Sequence, residues 1–383
     1  MAKKYCPQSK EELKKLVADE SVHLGEIDIS QITDLSFVFS NGDTEYEDDE
    51  TESFARRDFK GLEEWDVSHV TNMEDMFYKA THFNHDISSW NVSNVKNMQA
   101  MFRACKNFNQ PLNSWYVSRV ENMKCLFVWC ENFNQPLENW NVSRVVNMWA
   151  TFSGCTSFNQ PLNNWDVSRV ENMTALFANC KSFNQPLNRW DVSGAVRMNL
   201  MFSGCENFNQ PLENWDVSRV TDMGSMFGSC KNFNQPLNNW DVSSVEDMEG
   251  MFRGCKNFNQ SLDDWDVTGV KNMAAMFAGC ENFNQPLNDW NVSSVKNMES
   301  MFQNCYTFNQ PLDDWDVSRV ENMKGMFFYC ENFNQPLSDW DTSSITSMYS
   351  VFCDCTNFNQ PLENWDTSNV AGMSYMFQNC IKF

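Results

Sequence analysis

The sequence predicts an α/β solenoid: a right-handed coil of about 14 turns, each with one short parallel strand and one short helix. Three observations predict it. Thirteen tryptophans, Trp65 to Trp365, recur every 25 residues with no insertion or deletion. The same apolar residues return at the same distances from each of them. Proline stands before leucine in ten of the coils, so the turns recur with the core. An unbroken period of this kind means stacked coils of one shape, each burying its apolar side against its neighbours.

The elements follow in order. Residues 1–26 form a capping segment: Ser9-Lys10-Glu11-Glu12 is a capping box that opens an amphipathic helix through Leu13, Leu16 and Val17. Residues 27–64 hold a degenerate first coil, since Ile27-Asp28-Ile29-Ser30, Ile32, Leu35, Val38 and Phe39 match the repeat in register. A 13-residue excess follows, and its stretch GDTEYEDDETES reads as a solvated acidic loop. Residues 65–383 are thirteen repeats of 25 residues forming one solenoid.

Within a repeat, Val120, Met123, Leu126, Phe127 and Cys130 recur at the spacing of one helix face. Ser118 stands at the N-cap, and Glu121 completes a second kind of capping box, as Glu171, Glu246 and Glu321 do elsewhere. Proline inside a stacked strand would delete a ladder bond in every coil, so the strand is placed after it, around Asn-Trp-Asp-Val. Parallel strands about 4.8 Å apart make the coil axis on the order of 65 Å long. The last coil stops at Phe383 without Asn-Gln-Pro-Leu, which leaves self-association through that coil, as a homodimer or filament, as one expectation.

The strand segment Leu112-Asn113-Ser114-Trp115-Tyr116-Val117 resembles the LxxLxL core of leucine-rich repeats, with tryptophan in a leucine slot. The whole unit, FNQPLxxWDVSxVxxMxxMFxxC, is similar to the 25-residue repeats of the bacterial BspA-like leucine-rich repeat surface proteins, over residues 27–383. That resemblance implies a role in cell-surface adhesion or protein interaction, no catalysis, and a location on the bacterial surface or outside the cell.

Composition bounds the partners. A net charge of −23 repels phosphate backbones and excludes nucleic acid as the expected partner. The apolar runs are too short to insert in a bilayer. The opening MAKKYCPQSKEELKKLVADE lacks the apolar core of an export signal, which by itself points to the cytoplasm. Twelve of the 15 cysteines occupy one repeat place, from Cys105 to Cys380, and read as a column of buried thiols. Cys125 and Cys353 lie outside it without a basic neighbour to activate them.

No arrangement of acid, base and nucleophile stands out, and no cofactor motif does. Of four histidines, His69, His82 and His85 fall in the first full coil, where His85 replaces glutamine; they read as variation in a terminal coil. Aspartate follows Trp in nine coils, and Asp166, Asp191, Asp216 and Asp241 are consecutive. Two accounts stand for them. Calcium between rungs would relieve their repulsion and give a calcium-dependent adhesive surface. Alternatively each aspartate shapes a local turn through backbone amides, which suits the asparagines Asn91, Asn141 and Asn291 at the same place. The asparagines after phenylalanine, Asn84 to Asn359, read as an internal ladder.

Function is therefore sought where the repeat varies, at 9, 10, 13 and 14 residues after each Trp. Val128-Trp129 is followed by Trp149 in the next coil, with Tyr116 on the strand. Phe328-Tyr329 adjoin Tyr349, with Tyr306 in the preceding coil and Tyr375 in the last. Grouped exposed aromatics fit the centre of a protein interface, and packing against the protein's own surface is the competing account. The sequence thus reads as a non-enzymatic protein-interaction or adhesion module.

Overall fold

The computed structural model describes residues 3–41 and 52–383. Most of the expected acidic loop lies outside them. The chain forms two compact units, Met1–Gly194 and Ala195–Phe383. Each is a stack of 25-residue coils, a repeat solenoid built from side chains in columns.

The first unit opens with helix α1, Lys10–Ala18. Ser9 Oγ accepts the Glu12 N–H, and the Glu12 carboxylate reaches back to the Gln8 N–H at 2.8 Å. Leu13 and Val17 are buried, as an amphipathic cap requires. The C-terminal end is held by Arg56, 3% exposed. Its guanidinium donates to the carbonyls of Val17, Asp19, Val22 and Asp58 at 2.6–3.0 Å. The degenerate first coil is in register: Leu35, Phe37 and Phe39 donate backbone N–H bonds to Asn72, Glu74 and Met76 of the next coil.

Counting places from each Trp as 0, the helix expected at places 5 to 15 is not formed. Among the described residues the coils carry no α-helix and no continuous strand, only a single 3-10 turn at Leu62–Glu64 before Trp65. The segment is a chain of tight turns: Leu126 N–H closes on Met123 O, Val128 on Cys125 O, Cys130 on Phe127 O and Phe133 on Cys130 O. Between these bonds, alternate N–H groups leave the coil. Those of Met123, Cys125, Phe127 and Trp129 donate to Asn147, Trp149, Thr151 and Ser153 of the following coil. From Cys125 to Cys130 every N–H is thus used, alternately on the following coil and within its own.

The parallel pairing expected at Trp-Asp-Val is found instead at place 7, where Asn97, Asn122 and Asn147 pair in the first unit and Asn272, Asn297 and Asn322 in the second. A run of i→i+3 turns buries nearly every third residue, so its apolar spacing imitates one face of a helix. What breaks the helix is backbone sign. Places 10 and 14 have positive φ, as at Cys125 (58°), Trp129 (58°) and Tyr329 (59°), and no α-helix tolerates that. The sequence carries the signal: place 14 is glycine at Gly154, Gly204, Gly254 and Gly279, and asparagine at Asn179, Asn304 and Asn379.

The interior consists of columns. In the first unit the Trp90, Trp115, Trp140 and Trp165 rings stack at 6.4 Å, nearly parallel. Phe102, Phe127, Phe152 and Phe177 stack at 5.5–5.6 Å, each also on the second phenylalanine of its own coil, as Phe127 on Phe133 at 4.3 Å. The second unit repeats this, with Trp215 on Trp240 and Phe227 on Phe252. One hydrogen-bond device recurs at three places. The residue closing a turn sends its side chain to the carbonyl that opens the equivalent turn one coil earlier. Trp140 Nε1 donates to Leu112 O at 2.8 Å, Cys130 Sγ to Phe102 O at 2.9 Å, and Thr151 Oγ1 to Met123 O at 3.0 Å. The buried polar tips of Trp, Cys and Thr are satisfied by this register.

Candidate functional site

Places 9, 10, 13 and 14 lie together on one face of each unit. Places 10 and 14 project because their positive φ turns the side chain away from the coil interior. In the first unit the face carries Trp129 and Trp149, 39% and 38% exposed. The two indoles sit in separate settings. The Lys124 ammonium lies 4.8 Å from the Trp149 ring centre. The Arg103 guanidinium lies 5.8 Å from Trp129 and 4.8 Å from the buried Tyr78 ring. Each cation comes from the coil preceding its tryptophan, so rings and charges alternate along the face. Trp129 also lies against Gly154, where a Cβ would collide with its Cδ1.

Two residues expected in this patch add little to it. Val128, at place 13 like Arg103, is 7% exposed and presents little open surface. Tyr116 is 76% exposed but stands at place 1, over a depression lined by Asn113, Ser114, Asn139 and Asn141.

In the second unit the same places form a groove of about 660 Å³. It brings together Phe328, Tyr329, Tyr349 and Tyr375, residues that the spacing had grouped. Phe328 meets Tyr329 edge-to-face at 4.6 Å, and Tyr349 meets Tyr375 likewise at 5.4 Å. Tyr306 is outside the groove lining, at place 16. A further hollow along the face, of about 570 Å³, is floored by Ala274, Ala278, Gly254 and Gly279. Small residues there and aromatics beyond make the groove a feature of sequence variation on a constant frame.

The aspartates after Trp are used locally. Ser168 N–H and Oγ both donate to Asp166 Oδ1, and the same pair of bonds forms at Asp191, Asp216 and Asp241 with Ser193, Ser218 and Ser243. Serine at place 3 is thus the donor of an Asx turn, whereas the expected helix cap would have made it an acceptor. The serine hydroxyl and amide hold the Asp216 carboxyl below the usual carboxylate range. A second Asx turn follows at place 7, where Lys124 N–H donates to Asn122 Oδ1. Among the described residues there is no group of three or more His, Cys, Asp or Glu arranged to hold a metal ion. His85 pairs with Glu63 at 2.5 Å, and His69 Nε2 is bonded to Ile29 O. The asparagines after phenylalanine do form a ladder: Asn109 Oδ1 accepts the Asn134 N–H and Gln135 Nε2.

The cysteine column is buried from Cys105 to Cys355, and burial drives these thiols far above their ordinary 9.0. Cys353, on the groove, is pushed up to about 12 by burial and by the adjacent Asp354. None of these is a ready nucleophile. No helix among the described residues is long and apolar enough to cross a membrane.

Coils of one shape with a variable face define a tandem-repeat protein. The model of the family described as "Mycoplasma protein of unknown function, DUF285" matches residues 48–164, 146–253, 235–328 and 307–383, and the chain belongs to that family. No curated protein matches it.

Proposed function

We propose that the protein is a non-enzymatic interaction or adhesion module that holds a protein partner on the variable face of its first unit. The observation that carries this reading is Trp129. It occupies a left-handed position that the repeat fills mostly with glycine, asparagine, alanine or serine, and otherwise with Lys79, Tyr329 and Asp354. A bulky side chain there costs about 1 kcal/mol or more of backbone energy. It is also 39% exposed, which leaves an open indole surface to a partner. Trp149, on the next coil, adds a second ring, and Arg103 and Lys124 hold cations over both. Tryptophan and arginine together are the residues that dominate binding energy at interfaces. The chain as a whole is acidic, and these cations suit orienting carboxylates of a partner.

The test is affinity capture from host-cell and bacterial lysates with the wild type and with a Trp129→Ala, Trp149→Ala double variant. Alanine is native at both repeat places, as Ala104 and Ala274, so the variant keeps the fold. A protein held by the wild type and released by the variant at equal Tm supports the reading. Identical capture by both defeats it.

A further inference from the structure

We propose that the aromatic groove of the second unit binds a neutral oligosaccharide. This goes beyond the protein-binding reading and concerns a different unit. The groove, about 660 Å³, falls within the ~300–1,000 Å³ of small-ligand clefts. Its walls are Phe328, Tyr329, Tyr349 and Tyr375, locked as two edge-to-face pairs. Tyr329 and Tyr349 each keep about 39% of their surface open. Pre-oriented rings with exposed faces suit the C–H face of a pyranose, which carries partial positive charge toward the π cloud.

The polar groups of the groove decide the ligand class. Two of its three charges cancel: Glu299 pairs with Lys324 at 3.0 Å and accepts a bond from Asn322 Nδ2 at 3.0 Å. Asp354 keeps its charge but is already held by Asn379 Nδ2 at 2.7 Å and Cys353 Sγ at 3.1 Å. A charged peptide side chain would therefore meet one cancelled pair and one carboxylate already engaged by neutral donors. In these coils the backbone is engaged as well: Ser300, Asn304, Gly325 and Tyr329 N–H groups all donate to the following coil. The other polar lining is neutral, Gln303 and Gln378 amides with Ser300 and Ser350 hydroxyls. Amides and hydroxyls exchange hydrogen bonds with sugar hydroxyls in both directions, and they do so without net charge.

The experiment is calorimetric titration of the full chain with cellohexaose, chitohexaose, xylohexaose and mannohexaose, alongside a hexalysine and a hexaglutamate peptide. The variant is Tyr329→Asn, Tyr349→Ala, whose new residues are native at these repeat places as Asn304 and Ala274. At least one sugar is expected to bind saturably, to lose tenfold or more in affinity in this variant, and to bind equally at low and at 0.5 M salt (roughly a 4 Å screening length). Binding by the Trp129→Ala, Trp149→Ala protein is expected to be unchanged, which separates this proposal from the first-unit reading. No binding by any of the four sugars, binding indifferent to the tyrosines, or salt-sensitive binding of a charged peptide in the groove overturns it.

Discussion

The Trp129 indole rests on Gly154, one coil on: a methyl group at 154 would collide with Cδ1 and stand 3.2 Å from Nε1. The glycine is needed twice, for its φ of 76° and for the room it gives the ring.

Gly154→Ala is therefore expected to destabilise by about 1 kcal/mol from backbone strain, and further because the indole must move. Gly279→Ala is the control. Its φ is 75°, yet an added Cβ meets nothing nearer than Gly254 Cα at 3.5 Å. Thermal melts and tryptophan emission of both variants check this. Equal Tm losses and unchanged emission would show that the ring does not depend on the glycine.

Stability is expected to fall steeply in alkali. Burial raises the folded-state thiols of Cys130, Cys230, Cys255 and Cys280 above their ordinary 9.0. A raised folded value gives stability that is whole below the unfolded value and is lost as pH rises above it. Each thiol then contributes up to about 1.4 kcal/mol per pH unit above ~9. A Cys230→Ser, Cys255→Ser variant keeps donors to Phe202 O and Phe227 O but does not ionise, so its Tm should decline less per pH unit. A slope identical to the wild type's would count against the thiols.

In acid the opposite sign applies at the Asx turns. The carboxyls of Asp216, Asp266 and Asp341 are held below their ordinary 3.8 by the amide and hydroxyl at place 3. Their contribution is present above that value and is lost as pH falls through the depressed one. At neutral pH, Asp216→Asn should leave Tm nearly unchanged, whereas Asp216→Ala should cost about 0.5–1 kcal/mol by removing the acceptor. A Tm that rises with millimolar calcium and loses that rise in Asp216→Asn would instead favour the ion-binding account of this row.

Arg56 is expected to be the most sensitive residue of the N-terminal cap. Arg56→Lys cannot span the carbonyls of Val17, Asp19 and Val22 with one ammonium, so a loss of about 2–4 kcal/mol is expected locally. Hydrogen exchange should show α1 (Lys10–Ala18) opening while amides of later coils keep their protection. Uniform loss across the first unit would mean that the cap and the coils unfold as one.

Much of this architecture was legible in the chain. The 25-residue period fixed the coil, the degenerate first coil and the identity of the buried columns, because a side chain that must meet its own copy cannot drift. The variable places 9, 10, 13 and 14 were legible for the same reason, and the capping box at Ser9 from its local Ser-Lys-Glu-Glu motif. Tertiary structure alone decided the backbone path. Val120, Met123, Leu126 and Phe127 satisfy a helix and a run of turns equally well, and periodicity cannot separate them. The choice rests on where each N–H goes: a helix would spend all of them within the coil, whereas these turns spend alternate ones on the next coil. The same geometry decided that Val128 is covered while Trp129, one residue later and left-handed, is open. It also gathered Phe328, Tyr329 and Tyr349 into a groove, which linear spacing could group but not shape.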